Sequence, residues 1–444
     1  MNNGPEEQRL LIRLESYGCT ANHGASEIMA GLLSNAGFEV KWGQEEAGLV
    51  ILNTCVVKSA THSKMLRRIR KIREKKPEIP MIIAGCMPQV YKEDILRVSS
   101  NISVLGPHDL NNIVSVVRNT LSRHFVKEIT DRGEEDLRID QPRLRRSSLS
   151  GIIQIARGCQ SSCSYCIVKK VMGDIHSYPP RQIVEEVKTC IQDGCREILL
   201  TAQDLGAYGT DIETSLSDLL GRILPELPQN ARLRLGMLNP GNLWTDLDRL
   251  LKVISCESVY SMLHLPVQSG NDDVLQRMGR SYSVSRFQDI IKQIREVNPS
   301  ITIHTDIIVG FPGETEKAFK DTLDLIMWLK PDVVNVSKFS PRPGTAAAKY
   351  KTLPSNVVKA RSKALANLCG KISFEKNNDL VGKIFRVLTL KKYGTNSWYG
   401  RTDNYKPVIC TDSSSSLGEL ATVYIGEATK THLVGNIIST SPRQ

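Results

Sequence analysis

Cys159, Cys163 and Cys166, in GCQSSCSYC, carry the strongest chemical signal in the chain, and the aromatic Tyr165 stands directly before the third thiol. A closed zinc site needs four ligands, as two C-x2-C pairs or as Cys2His2, and a ferredoxin-type run supplies four cysteines. Here the next thiol after Cys166 is Cys190, on a helical segment, and the eight histidines include no H-x3-H pair. Three thiolates on one loop suit three irons of a 4Fe-4S cubane and leave the fourth iron without a protein ligand. A zinc site that borrows a distant His or Cys is the competing reading.

Three further thiols each follow an apolar run: Cys19 in ESYGCTAN, Cys55 in LNTCVV and Cys86 in AGCMPQ. A lone cysteine in such a place is most often a core residue. In a parallel sheet, however, the carboxyl ends of the strands share one edge, where ligands bind. Three thiols at equivalent strand ends, each beside Gly, Asn or Pro, are therefore expected to converge as a second three-thiolate site.

The elements that must position these residues alternate strand and helix. LLIRLES, FEVKW, GLVILNTC and IPMIIAGC read as strands, YGCTANHG as a turn, and SEIMAGLLSNAG as a helix stopped by Gly37. The fold class expected is α/β, with a doubly wound parallel-sheet domain over residues 1–125 and a linker over 126–144. An open α/β barrel is expected over 145–378, where GIIQIARGC, REILLTAQD, RLRLGMLNP and ITIHTDIIVGFPG read as strands. From 379 to 444, short strands rich in Val, Ile, Thr and Tyr predict a small antiparallel β-barrel. No G-x-G-x-x-G opens any early helix, so no dinucleotide fingerprint is present.

Polar groups after the barrel strands are candidates to grip a small ligand: Gln203, Gln268 and Asp306 foremost, with Asp204, His264 and Ser269 behind them. Each is also of a type that closes turns and caps helices. No acid/base catalytic residue is assigned beyond the cysteines. Cys190, Cys195, Cys256, Cys369 and Cys410 read as core or incidental thiols.

The net charge of +11 is unevenly placed. KMLRRIRKIREKK, Lys64 to Lys76, has eight Lys or Arg against one Glu, with Met65, Leu66, Ile69 and Ile72 at helical spacing. RLRR at Arg143 to Arg146 adds a second basic cluster. A polyanion is the partner this favours, RNA being the natural candidate. Near the C-terminus Trp398, Tyr399, Arg401, Asn404, Tyr405 and Lys406 mix stacking faces with cations, which also suits RNA. No apolar run of about 18 residues exists, the start MNNGPEEQRL is polar, and eleven cysteines fit metal work better than a disulfide framework, so a cytoplasmic protein without a membrane anchor is expected.

The loop ARGCQSSCSYC resembles the C-x3-C-x-aromatic-C motif of the radical S-adenosylmethionine (SAM) enzymes. With YGCTAN, NTCVV, AGCMPQ, YGRTDNYKPV and GEATKTHLVG, nearly the whole chain resembles the methylthiotransferases of that superfamily, which end in a TRAM domain. The resemblance implies two 4Fe-4S clusters, one on Cys159, Cys163 and Cys166 with SAM on the vacant iron, and an auxiliary one on Cys19, Cys55 and Cys86. Tyr165 on the loop, and Gln203, Gln268 and Asp306 by their positions after the barrel strands, are the residues expected to contact SAM. The first cluster would cleave SAM to a 5′-deoxyadenosyl radical, able to act at adenine C2, whose hydrogen is not acidic, and the auxiliary cluster would present the sulfur.

Thr20 after Cys19, and SYPP at Ser177 to Pro180, resemble the archaeal and eukaryotic branch, which converts N6-threonylcarbamoyladenosine at tRNA position 37, beside the anticodon, to its 2-methylthio derivative. Met172–Gly173 stands where an Arg-Gly pair is common in the bacterial branch acting on isopentenyladenosine. A ribosomal-protein aspartate as substrate, or a non-catalytic metal-containing RNA-binding protein, are the rivals. tRNA and an electron donor such as a ferredoxin or flavodoxin are the expected partners; the sulfur donor is not legible.

Overall fold

The computed structural model describes residues 10–43, 46–56, 59–130, 138–411 and 417–440. The start of the expected first domain, 1–9, and the middle of the expected linker, 131–137, lie outside the described residues, as do 412–416 and 441–444. The chain forms two compact units, Met1–Arg146 with Ile167–Gly173, and Ser147–Cys166 with Asp174–Gln444.

In the first unit, β1 (Leu11–Ser16), β2 (Glu39–Trp42), β3 (Leu49–Thr54), β4 (Met81–Gly85), β5 (Ser103–Leu105) and β6 (Lys127–Glu128) form one sheet in the order β2-β1-β3-β4-β5-β6. Every pairing is parallel. All six residues of β3 are buried, as a strand covered on both faces requires. One face is packed by α1 (Thr20–Asn35) and α4 (Ile113–Leu121), through Ile28, Leu33, Ile113 and Val117. The other is packed by α2 (Ser59–Lys75), α3 (Cys86–Val98) and α5 (Val168–Met172), through Met65, Ile69, Ile95 and Val171. Met172 is 4% exposed in that core.

Two local expectations change. The segment read as a turn, YGCTANHG, becomes helix from Thr20, with Cys19 extended at its N-cap. Gly18 makes the bend alone at φ +113°, and Asn22 Nδ2 donates to the Tyr17 carbonyl (2.5 Å) across it. The basic RLRR segment, read as a solvated cluster, is held in place: Leu144 N donates to the Glu27 carbonyl (3.0 Å) and Arg146 N to Glu27 Oε1 (3.1 Å). Arg146 also lies over the Trp42 ring at 5.6 Å, so this strap is bound along α1 and β2.

In α2 the sequence pattern holds: Met65, Ile69 and Ile72 are buried while Lys64, Arg67, Arg70, Lys71 and Lys75 are exposed. Arg68 differs from its neighbours. It grips the buried Glu15 of β1 with both arms, at 2.9 and 2.6 Å, and Tyr17 Oη donates to the same carboxylate at 2.5 Å.

The second unit is an open α/β barrel with a small barrel attached. Parallel strands β7 (Ser150–Gln154), β10 (Glu197–Thr201) and β11 (Arg232–Leu235) form one half, and β12 (Met262–His264), β13 (Thr302–Val309) and β14 (Val333–Lys338) the other. Isolated bridges Leu233–Val259 and Met237–His264 join the halves. A short ribbon, β8 (Ala156–Arg157) with β9 (His176–Ser177), flanks the first strand. Helices α6 (Pro180–Gln192), α7 (Leu216–Ile223), α8 (Leu247–Ile254), α9 (Asp272–Arg277), α10 (Val284–Val297) and α11 (Glu316–Leu329) lie between the strands, and α12 (Ser355–Asn378) leads to the last domain.

That last domain is a closed barrel, β15 (Ile384–Lys392), β16 (Ser397–Thr402), β17 (Pro407–Thr411), β19 (Leu433–Thr440) and β18 (Leu420–Ala428), around Val387, Val408, Cys410, Val423 and Leu433. Its pairings are antiparallel except β17 with β19, which is parallel.

The turn between β16 and β17 closes the amino-terminal mouth of the α/β barrel. Asp403 Oδ1 accepts from Arg232 Nε (2.9 Å) at the start of β11, and its carbonyl accepts from Ser261 N (2.8 Å) just before β12. The Tyr405 ring meets that of Tyr260 edge-on at 4.8 Å. Lys406 Nζ lies 2.7 Å from Asp332, itself just before β14 and also 2.6 Å from Lys376. The expectation that Tyr405 and Lys406 face RNA is thereby corrected: Lys406 is 6% exposed and held inside the protein. A stacking–cation composition does not say which side of a turn it faces.

Although burial works against it, Lys406 and Lys376 hold the Asp332 carboxyl below the usual carboxylate range. The stability this gives is present above an unfolded aspartate's pKa of about 3.9 and lost as pH falls through the lower folded value. Lys406→Met, which removes one partner of a buried ion, is expected to cost about 3 kcal/mol in chemical denaturation. An unchanged midpoint would show that the turn contributes no anchoring.

Candidate functional site

The strand order brings the first cysteine trio together. β1, β3 and β4 are neighbours in the sheet, and Cys19, Cys55 and Cys86 follow their carboxyl ends, Cys19 as the N-cap of α1 and Cys86 as the first residue of α3. The chain reverses winding between β1 and β3, the switch point where ligands of doubly wound sheets bind. A Cβ on Gly18 would stand 2.5 Å from Cys55 Cβ and 2.9 Å from its Sγ, so only glycine lets the Cys19 turn approach Cys55. Gly85, at φ +89°, does the same before Cys86, where a Cβ would strike Asn53 Oδ1.

Asn53 Nδ2 ties the end of β3 to α1 by donating to the Asn22 carbonyl (2.8 Å) and Ser26 Oγ (2.7 Å). Burial pushes the Cys86 thiol well up, and the nearby Cys55 and Cys19 push it further. A thiol whose thiolate form is disfavoured by two neighbouring thiols suits a site whose cations take up that charge. Among the described residues no three His, Cys, Asp or Glu side chains are gathered as for a single ion; the thiolates of a cubane each meet a different iron. None of the eleven cysteines is in a disulfide.

The second trio occupies a loop after β7 and β8, clamped from several sides. Ser164 N donates to the Met278 carbonyl (2.9 Å), Ser164 Oγ to the Arg277 carbonyl (2.8 Å), and Ala347 N to the Ser164 carbonyl (2.8 Å). Asn239 Nδ2 donates to Ser161 Oγ (2.8 Å), and Arg280 Nη1 donates to Cys163 Sγ (3.3 Å). Burial pushes the Cys159 thiol up to about 11, with the backbone N–H of Ser161 pulling the other way. Beside the loop is a cavity of about 250 Å³ lined by Gln160, Ser161, Ser162, Cys163, Asn239, Asn242, Gly279, Arg280 and Ser281. Three thiols on one anchored loop beside a polar cavity fit a cluster with an open iron.

The residues singled out for cofactor binding differ in what they touch. Tyr165 turns into an apolar cluster with Val274, Met278, Phe311 and Ala347, its ring edge-on to Phe311 at 6.3 Å. Gln203, just past β10, keeps a buried Oε1 with no partner, a position an incoming N–H would satisfy. Gln268 adopts φ +71° and continues the sheet, its N donating to the Asp306 carbonyl (2.8 Å) and its carbonyl accepting from Ile308 N (3.0 Å). Asp306 pairs with His264 Nε2 (3.0 Å) and accepts from Asn335 Nδ2 (2.7 Å), which gathers β12, β13 and β14 at one carboxylate.

Asp204 is absorbed by structure: buried, it accepts from Gly206 N, Asn239 N and Asn242 Nδ2 at 3.0, 2.9 and 2.6 Å. Ser269 Oγ accepts from Asn271 N (3.3 Å), beside the N-cap of α9. Sequence reasoning missed Asn239, Asn242, Arg280 and Asn335. Asn239 and Asn242, in LNPGN after β11, had the same signal as Gln203; Arg280, on the turn after α9, had none. Of the remaining thiols Cys190, Cys195, Cys369 and Cys410 are buried and Cys256 is exposed.

Below this site His304 is half-buried within the barrel, 6.3 Å from His264 and 6.4 Å from Tyr405 between ring centres. Burial, reinforced by His264, pushes its pKa down to about 3.

A six-stranded α/β barrel with three thiols on the loop after its first strand defines the radical SAM class. Residues 153–326 match the Radical SAM superfamily and residues 11–106 the Uncharacterized protein family UPF0004. Among solved structures, the chain is similar in fold to the radical S-adenosylmethionine methyltransferase TsrM from Kitasatospora setae, with TM-score 0.54 at 16% identity over 77% of this chain and 74% of that one.

Full-length relatives narrow this further. The chain is 40% identical over 430 residues to the probable threonylcarbamoyladenosine tRNA methylthiotransferase of Pyrococcus abyssi, covering 96% of this chain and 99% of that one. It is 34% identical to the threonylcarbamoyladenosine tRNA methylthiotransferase of Homo sapiens, covering 98% of this chain and 75% of that one. The chain belongs to the threonylcarbamoyladenosine tRNA methylthiotransferase family.

Because the folded His304 stays neutral while an unfolded histidine gains a proton near pH 6.5, its contribution to stability is present above that pH and is lost as pH falls toward 3. His304→Phe is expected to flatten the acid side of the stability–pH curve between about pH 6.5 and 4, read by denaturant midpoints. An unchanged slope would show the imidazole to be protonated in the fold.

Proposed function

We propose that this chain converts N6-threonylcarbamoyladenosine beside the anticodon of tRNA to its 2-methylthio derivative, with one 4Fe-4S cluster on Cys159, Cys163 and Cys166 and a second on Cys19, Cys55 and Cys86. The observation that carries this reading is near-full-length identity of 40% to a relative of that name, and the two separate thiol trios agree with it. When bound, the clusters and SAM supply what no side chain offers, a carbon radical able to act at a non-acidic C–H and a sulfur atom to insert there.

The chain's own groups bind and orient. Gln203, after β10, and Gln268 and Asp306, in the other half of the barrel, are the candidate contacts for SAM, and the cavity at Asn239 and Asn242 offers hydrogen bonds to a polar ligand. Tyr165 supports the loop from its apolar side. The boundaries near residues 125, 145 and 379 divide the chain into auxiliary-cluster, radical and RNA-binding parts. The exposed cations of α2, Lys64, Arg67, Arg70, Lys71 and Lys75, form a stripe suited to phosphates. A one-electron protein donor such as a ferredoxin or flavodoxin is the expected reductant. No described helix is long and apolar enough to cross a membrane, in keeping with action in the cytoplasm, where tRNA is found.

Nucleoside mass spectrometry of tRNA from cells with and without the gene tests the substrate. The methylthio form of threonylcarbamoyladenosine is expected to vanish on deletion, and Cys163→Ala to fail to restore it; an unchanged profile overturns the assignment. Anaerobic reconstitution is expected to give about eight irons per chain, falling to about four when Cys19, Cys55 and Cys86 are all replaced by Ala. Arg67→Gln, Arg70→Gln and Lys71→Gln together are expected to weaken tRNA binding and to flatten its log–log salt dependence by about one unit for each phosphate left without its cation.

A further inference from the structure

We propose that Arg280 is a positioning residue that sets the reduction potential of the radical-generating cluster through its hydrogen bond to Cys163. This rests on reading Cys159, Cys163 and Cys166 as the ligands of that cluster.

The guanidinium is fixed on every side. Nη1 donates to Cys163 Sγ at 3.3 Å, Nη2 to Asn239 Oδ1 at 2.7 Å and to the Pro266 carbonyl at 3.1 Å, and Nε to Tyr282 Oη at 2.9 Å. Tyr282 is itself held, its hydroxyl within reach of the Pro266 and Val267 carbonyls at 3.0 and 3.1 Å, and its ring lies 5.0 Å from the guanidinium carbon. None of these acceptors is a carboxylate. Among the described residues Arg280 forms no direct ion pair; Asp204 lies near enough to feel its charge but is itself hydrogen-bonded to Gly206, Asn239 and Asn242, so the Cys163 sulfur is the anionic ligand that the guanidinium touches directly.

The physical consequence follows from charge. A cluster gains an electron on reduction, and an N–H donor and a cation at one of its sulfurs stabilise the more negative state. The potential rises and the electron enters more easily. A planar fork is needed to span Cys163, Asn239, Pro266 and Tyr282 at once, so a lysine ammonium restores the charge but not the whole set of bonds. Because Asn239 also holds Ser161, Arg280 has a second, purely structural link to the loop, and the test must tell the two apart.

The experiment uses the full-length chain with Cys19, Cys55 and Cys86 replaced by Ala, so that a single cluster is titrated anaerobically with dithionite and followed by electron paramagnetic resonance. With Arg280→Gln the ratio of reduced to oxidised cluster at a fixed poise is expected to fall at least tenfold, which is about 59 mV for one electron. Arg280→Lys is expected to recover part of that shift, and Ser161→Ala, which removes the Asn239 bond to the loop but leaves every Arg280 bond in place, to leave the potential unchanged. An unshifted Arg280→Gln potential at full iron content overturns the proposal. Should Arg280→Gln lose its iron, Arg280→Lys carries the comparison, and an unshifted potential there overturns it. A Cys163→Ala chain that keeps its iron and signal would instead overturn the reading of Cys163 as a ligand.

Discussion

Thiols separated by more than thirty residues meet only if the strands that deliver them lie side by side, and this constraint governs the first unit. The order β2-β1-β3-β4-β5-β6 puts β1, β3 and β4 adjacent and parallel, so Cys19, Cys55 and Cys86 leave the sheet from one edge. Approach then depends on the absence of a side chain. Gly18 and Gly85 take positive φ where a Cβ would strike Cys55 and Asn53, and the Asn22, Ser26 and Asn53 hydrogen bonds hold the turns in that close arrangement. A substitution at either glycine would act on the cysteine positions without replacing a cysteine.

The second unit solves the positioning problem differently. Its three thiols are already near one another in sequence, so the fold need only anchor one loop and keep one side of it open. Backbone bonds from Ser164 to the end of α9 and to Ala347, and side-chain bonds from Asn239 and Arg280, hold it beside a polar cavity. At the opposite end of the barrel the small domain closes the mouth with Asp403, Tyr405 and Lys406 against Arg232, Tyr260 and Asp332. Buried ions at such a contact add little net stability, but an unpaired one is costly, so they specify one docking of the turn. The carboxyl ends of the strands are left for chemistry, the amino ends for stability.

Much of this was legible in the chain. The alternation of strand and helix gave the α/β class, the change of pattern near residue 380 gave the terminal barrel, and the spacing of Cys159, Cys163 and Cys166 gave the loop that carries them. The amphipathic basic helix emerged as read, with Met65, Ile69 and Ile72 inward. These features are local, and local periodicity and spacing are what a sequence displays directly.

What was not legible depends on which side of an element meets which neighbour. Tyr405 and Lys406 have the composition of an RNA face, yet Tyr405 packs on Tyr260 and Lys406 is buried; Arg143 to Arg146 read as a basic cluster for a polyanion and are strapped to α1 and β2. Arg280, more than a hundred residues from Cys163, reaches its sulfur only because the turn after α9 folds over the loop. The sequence by itself determined where the metal-ligating residue types lie and which segments form strands and helices, because both follow from residue type and short spacing. Only the tertiary structure decided which charges face inward and which distant donors reach the thiols, because those depend on contacts between segments that share no local pattern.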